Sequence, residues 1–136
     1  MKKPIDIDAL VEEAVPMREN PQLAFTISLR VDSETNGREG WKAKWARKKK
    51  QKEAVAIAWL WAKAKPGFEL SLPCAVRFTR VGPKRLDGDN LSESFKACRD
   101  QMAREIGVDD GDERIRWEYE QVAVGKRVYA VRVEIY

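Results

Sequence analysis

From Trp41 to Lys63 the chain contains neither glycine nor proline, and alanine, lysine and other strong helix formers fill the stretch. Such a run predicts one long helix, closed by Pro66-Gly67. With 136 residues, 43% of them hydrophobic, the chain has material for one ordinary core and not for two domains. The rest of the fold must therefore be a single layer system built around that helix.

The remaining elements follow from periodicity and punctuation. Met1 to Pro21 is a polar lead-in or arm with room for a short helix over Ile7 to Ala14. Gln22 to Val31 alternates through Leu23, Phe25, Ile27 and Leu29 and predicts a strand with one buried face. Asp32 to Gly40, with Asn36-Gly37 inside it, is expected as a mobile loop. Leu70 to Val81 predicts a second strand, turned at Gly82-Pro83, and a second helix is expected over Leu91 to Ile106 with Gly107 as its C-cap. Arg114 to Val124 and Lys126 to Tyr136, separated by Gly125, predict a C-terminal hairpin. The order β-α-β-α-β-β suits an α/β (α+β) domain over 22–136, a mixed sheet packed by two helices.

Composition narrows the surroundings and the chemistry. Cys74 and Cys98 lack CxxC spacing and lie in apolar-patterned segments, which reads as reduced core thiols. The uncharged apolar run Ala54 to Ala62 falls short of the ~20 residues a membrane span needs. Asp6 and Asp8 follow closely on Lys2 and Lys3, so no signal-peptide core is expected there. These features predict a cytoplasmic protein without a membrane segment. The chain has no histidine; Ser-His and Cys-His nucleophiles and histidine-ligated zinc are excluded, and hydrolytic chemistry would have to run through carboxylates, lysine and a hard metal ion.

Two acidic pairs fit that requirement. Asp87 and Asp89 stand one residue apart in Arg85-Leu86-Asp87-Gly88-Asp89-Asn90, and Asp109-Asp110 follow after one helix's length. On a helical wheel Leu91, Phe95, Cys98, Met102 and Ile106 form the core stripe of the second helix, and Glu93, Lys96 and Asp100 share a band of about 60° with Asp89 on the side away from it. The helix would span ~24 Å, so the second pair meets the first only if the chain doubles back through Gly107 into the sheet. Carboxylates brought together in this way would repel one another until a divalent cation neutralised them. A plainer reading stands beside this one: turn aspartates, Asn90 as an N-cap with Glu93 completing a capping box, and Asp109-Asp110-Gly111-Asp112 as a solvated loop. An EF-hand is excluded, because Arg114 follows where the alternation after Asp110 and Asp112 needs an oxygen ligand.

Asp87-x-Asp89-Asn90-Leu91, then Lys96-x-x-x-Asp100 on the helix, then Val108-Asp109-Asp110 before a strand, resembles the RusA family of Holliday junction resolvases. The resemblance covers roughly Leu72 to Tyr136. It implies a magnesium-dependent endodeoxyribonuclease, with Mn²⁺ as the alternative ion, that resolves four-way DNA junctions by symmetric paired nicks. It also implies a homodimer, with metal ligands at Asp87, Asp89 and Asp110, Asp109 adjacent to them, and the essential lysine at Lys96. Two departures are visible: the family lysine falls where Glu93 stands here, and the family's Pro-Pro-Ser-Asn start is replaced by Val31-Asp32-Ser33-Glu34. Moving the lysine from i+4 to i+7 shifts its amine by ~60° around the helix and ~4.5 Å along it.

The net charge of +4 is small, but Arg38, Lys42, Lys44, Arg47, Lys48, Lys49, Lys50 and Lys52 are opposed only by Glu39. That stretch predicts a polyanion-attracting lobe, with Arg47, Lys48, Lys49, Lys50 and Lys52 as DNA-backbone contacts and Lys84 and Arg85 beside the acids. Trp41 and Trp45, one turn apart, suit either base stacking or a core or dimer interface, the latter being commoner; Trp59 and Trp61 are expected in the core. Two further readings compete with the nuclease: a non-catalytic branched-DNA-binding protein on the same fold, and a small interaction domain whose acids are caps and loops.

Overall fold

The glycine- and proline-free run forms a helix over the expected span, Trp41–Lys63 (α2), in a computed structural model that describes residues 4–16, 20–32 and 40–136. Before it lie α1 (Ile7–Ala14) and β1 (Leu23–Ile27); after it come β2 (Cys74–Gly82), α3 (Gly88–Ser94), α4 (Lys96–Ile106), β3 (Ile115–Ala123) and β4 (Ala130–Ile135). Residues 33–39, which make up most of the expected mobile loop and include Arg38 and Glu39, lie outside the described residues, as do 1–3 and 17–19 of the lead-in. The architecture is the anticipated single α+β domain, a four-stranded mixed sheet in the order β1-β4-β2-β3 with helices packed on it.

That order overturns the C-terminal hairpin. β3 pairs with β2 in parallel, Cys74 opposite Ile115 and Gly82 opposite Ala123, whereas β4 crosses to the other side of β2 and lies antiparallel between β1 and β2. Burial explains the choice. Every residue of β4 is buried, as suits an interior strand, while β3 has only Ile115 buried and serves as an edge. A hairpin would have put β4 at the rim; inserted, Val131, Val133 and Ile135 join Val76, Phe78 and Leu23 in the main core.

The main-core face of the sheet is covered by α2 and α4 through Val55, Trp59, Ala62, Cys98 and Met102. On the opposite face Val11 and Val15, in and just after α1, are buried against Val81 and Ala130. That face also carries buried charges, each with a partner: Arg132 donates to Thr26 Oγ1 (3.2 Å), and Glu134 accepts from the Tyr136 hydroxyl (2.7 Å). Cys74 and Cys98 are free and buried, and burial pushes the Cys98 thiol up to about 12.

Three expectations are corrected by packing. β2 starts at Cys74 and not at Leu70, because Pro73 can give no ladder hydrogen bond; Leu70 and Leu72 still pack on the core. The second helix is broken at Phe95 (φ −95°, ψ 4°) into α3 and α4. Buried Ser94 bonds its hydroxyl to the Leu91 carbonyl, and Phe95 leaves the helical path to stack against both Phe78 (centroids 5.3 Å apart) and Tyr119 (5.9 Å). The expected stripe nevertheless faces inward, with Phe95, Cys98 and Met102 fully buried and Leu91 and Ile106 packed on the core. Among the tryptophans of α2 only Trp59 is buried. Trp61 lies about 200° around the helix from it and is 79% exposed, and Trp41 and Trp45 are 75% and 61% exposed and so are not core residues.

Candidate functional site

The first acidic pair is positioned from β3. The Leu86 backbone N–H donates to Gln121 Oε1 (2.7 Å), and its carbonyl accepts from Gln121 Nε2 (2.9 Å). One glutamine thus holds both backbone groups of the residue that precedes Asp87. α3 then begins at Gly88, three residues before the expected start, which places Asn90 inside the helix and removes its capping role. Asp87 occupies the N-cap position, but its side chain makes no capping bond. Asp87 and Asp89 are exposed at the positive end of the helix dipole, and neither carboxylate has a side-chain partner among the described residues.

The second pair is positioned from the same strand. Gly107 ends α4 in the left-handed region (φ 89°), where its missing Cβ removes the steric cost, and the chain turns back toward the sheet as the acidic convergence requires. The Asp109 carbonyl accepts from the Asp112 N–H (3.0 Å), and the Asp110 carbonyl accepts the Trp117 indole N–H (3.1 Å). Within this loop Asp112 is the structural acid. It takes the Arg114 backbone N–H (2.9 Å) and the guanidinium (2.8 and 3.1 Å), and those bonds hold its carboxyl down at about 2. The exposed carboxylates of Asp109 and Asp110 make no side-chain hydrogen bond or ion pair among the described residues.

Trp117 and Gln121 lie on one face of β3, so the two acidic segments hang from anchors four residues apart, about 13 Å along a strand. Tyr119 lies between the anchors and accepts a hydrogen bond from Arg99 (3.2 Å). For Arg99 burial acts to lower the guanidinium's pKa; the bond to Tyr119 and the electrostatic pull of Tyr119, Asp100 and Asp110 outweigh it and leave it raised. The four acids offer the exposed oxygen donors that Mg²⁺ or Mn²⁺ takes, and in donor chemistry they fit such an ion. Among the described residues no three potential ligands form one compact group. The structure brings the pairs to one strand face without closing them into a single ligand sphere.

Lys96 opens α4 and is held by Asp100 (3.1 Å) at i,i+4. It lines a cavity of about 360 Å³ with Ser92 and Glu93 of α3, Arg99 of α4, and Lys44 and Lys48 of α2. The basic helix and the candidate catalytic lysine therefore share one cleft, with four cations against a single glutamate among the described lining residues. Lys48 also lines the next cavity along α2 with Lys49 and Lys52, beside Trp45, and the Lys49 amine stands 5.2 Å from the Trp45 ring. Arg47 is half-buried and Lys50 exposed, as expected of consecutive residues that surround an axis. Lys84 and Arg85 line a separate cavity, formed at the segment that leads into the acids.

The sequence reading missed Gln121, Tyr119 and Arg99. Arg99 lies three residues after Lys96 on the same helix and was legible by spacing. Gln121 and Tyr119 carry no signal beyond alternation in a β-rich run. The chain matches no protein-family model and no curated protein.

Proposed function

We propose that the protein is a metal-dependent structure-specific endodeoxyribonuclease of the RusA type, acting on four-way DNA junctions in the cytoplasm. The observation that carries this reading is the placement of α3: its N-terminus presents Asp87 and Asp89 without side-chain partners among the described residues, and its last turn lines the cleft of Lys44, Lys48, Lys96 and Arg99. Uncommitted carboxylates beside concentrated positive charge are what phosphodiester hydrolysis needs, since a phosphate must be drawn toward acids that repel it. Asp87, Asp89 and Asp110, with Asp109 adjacent, would hold Mg²⁺, or Mn²⁺ in its place, by drawing together two pairs that form no compact group among the described residues. When bound, the ion lowers the pKa of water and neutralises charge on the phosphate oxygens. Lys96, oriented by Asp100, supplies positive charge at the scissile phosphate, and Arg99 supports it from the floor of the cleft. Symmetric cutting of a junction calls for a homodimer with two such sites.

A labelled four-way junction incubated with Mg²⁺ or with EDTA tests the reading, with Asp89→Asn beside the wild type. Paired nicks that require Mg²⁺ and fall by about a hundredfold or more in Asp89→Asn are expected. Cutting in EDTA, or full activity in the variant, rejects it. The exposed Trp41 and Trp45, each with a lysine over its ring, favour a second reading, a branched-DNA-binding protein without catalysis. It is the reading left standing if the junction binds and Mg²⁺ produces no nick.

A further inference from the structure

We infer that a second anion site, formed at the segment that leads into the acids, takes the backbone phosphates of the same DNA strand. The inference rests on the nuclease reading and extends it. A cavity of about 500 Å³ opens between the segment before α3 and the β3–β4 crossover, and its described lining holds Arg80, Lys84, Arg85, Lys126 and Arg127 against the single acid Asp32. That acid is already engaged by Arg30 and by Arg80 (3.4 Å).

The floor of the cavity is built. Arg80, 4% exposed, donates through Nε to the Val31 carbonyl (2.7 Å) and through Nη1 to the Lys84 carbonyl (2.8 Å), so one buried guanidinium joins the end of the β1 segment to the loop that leads into the acids. Gly82 leaves the space this needs, for a Cβ there would stand 2.8 Å from Arg80 Nη1. The crossover is bonded to the same region, Val124 N–H to the Gly82 carbonyl (2.9 Å) and Gly125 N–H to the Pro83 carbonyl (3.2 Å). On this scaffold the side chains of Lys84, Lys126 and Arg127 have no hydrogen-bond or ion-pair partner among the described residues; they are exposed cations held around one concavity. Like charges gathered around one concavity, with no counter-ion to Lys84, Lys126 or Arg127 among the described residues, raise the local potential and favour a polyanion.

The position gives the ligand's direction. Residues 84–86 line this cavity, 87 and 89 are the acids, and 92, 93 and 96 line the other basic cleft. The helix between them spans about 10 Å, the rise of roughly three base pairs along the axis of a duplex arm. A backbone laid from one cavity to the other passes the acids, and the crossover loop fixes its register on the side that α2 does not reach.

The test is fluorescence anisotropy of the full chain with a labelled four-way junction in EDTA across a KCl series. Lys126→Ser/Arg127→Ser is expected to bind more weakly and to lower the slope of log K against log salt by about 2, one unit per lost phosphate contact. The charge-preserving pair Lys126→Arg/Arg127→Lys is expected to keep the wild-type slope. An unchanged affinity and slope in the serine pair, while Lys44→Ser/Lys48→Ser falls, overturns this site and leaves the nuclease reading intact. An equal loss in the charge-preserving pair overturns it in favour of a structural role for the loop. A wild-type chain that does not bind the junction at all overturns both.

Discussion

Gln121 on β3 grips Leu86 by both backbone groups, accepting from its N–H at 2.7 Å and donating to its carbonyl at 2.9 Å. A strand side chain here substitutes for a backbone ladder and fixes the approach to Asp87. Gln121→Leu keeps the apolar stem and leaves both Leu86 groups without their partner. The expected cost is about 1–3 kcal/mol in urea unfolding, together with a fall in junction cleavage larger than the stability loss explains, because the acidic entry loses its anchor.

Gly82 and Arg80 form a second coupled pair. Gly82→Ala places a methyl group against a guanidinium that two carbonyls hold in place, and the expected destabilisation is about 1–3 kcal/mol. In an Arg80→Met background the collision is relieved. A double-mutant cycle by chemical denaturation should then show a coupling energy of about 1 kcal/mol or more; strict additivity would show that the two do not touch.

Phe95 closes the corner between α3 and α4 by stacking on Phe78 and Tyr119. Phe95→Ala is expected to cost about 3–5 kcal/mol, and Phe95→Leu clearly less, because leucine refills part of the volume. In circular dichroism the alanine variant should melt earlier, and its loss should exceed that of an Ile57→Ala change on the exposed face of α2.

Asp112 predicts a feature of the acid limb. Its hydrogen bonds to Arg114 lower its folded pKa from 3.8 to about 2, so the stabilisation is complete above the unfolded value and is lost as pH falls from about 4 toward 2. Thermal melts of Asp112→Asn should show a shallower fall with acidification across that interval than the wild type. Carbon-detected NMR titration should find the Asp112 carboxyl protonating below its ordinary value of 3.8, at about 2.

The reach of the sequence can be read from particular elements. The helix over Trp41–Lys63 was legible to the residue, because freedom from glycine and proline is a local property that tertiary contacts did not need to override. The inward stripe of Phe95, Cys98 and Met102 was legible for the same reason, being set by helical period. The break at Phe95 was not, since it depends on the aromatic partners Phe78 and Tyr119 from two other strands. Helical period alone puts Trp59 and Trp61 about 200° apart and so on different faces; which of the two is buried was not legible in a run where both sit among apolar neighbours.

Residue type and spacing alone determined a one-domain α+β chain with a basic helix, two acidic pairs and a chemistry without histidine, because these are properties of short segments. Tertiary structure decided that β4 lies between β1 and β2 and not beside β3, since a strand apolar toward one core and buried on both faces is stable only in the interior. It also decided that Lys96 and the α2 lysines share a cleft and that Gln121 and Trp117 hold the two acidic segments to one strand face. Apart from the Trp117–Asp110 bond, seven residues apart, those contacts join residues tens of positions apart, and no local pattern encodes which distant side chain will supply the missing hydrogen bond.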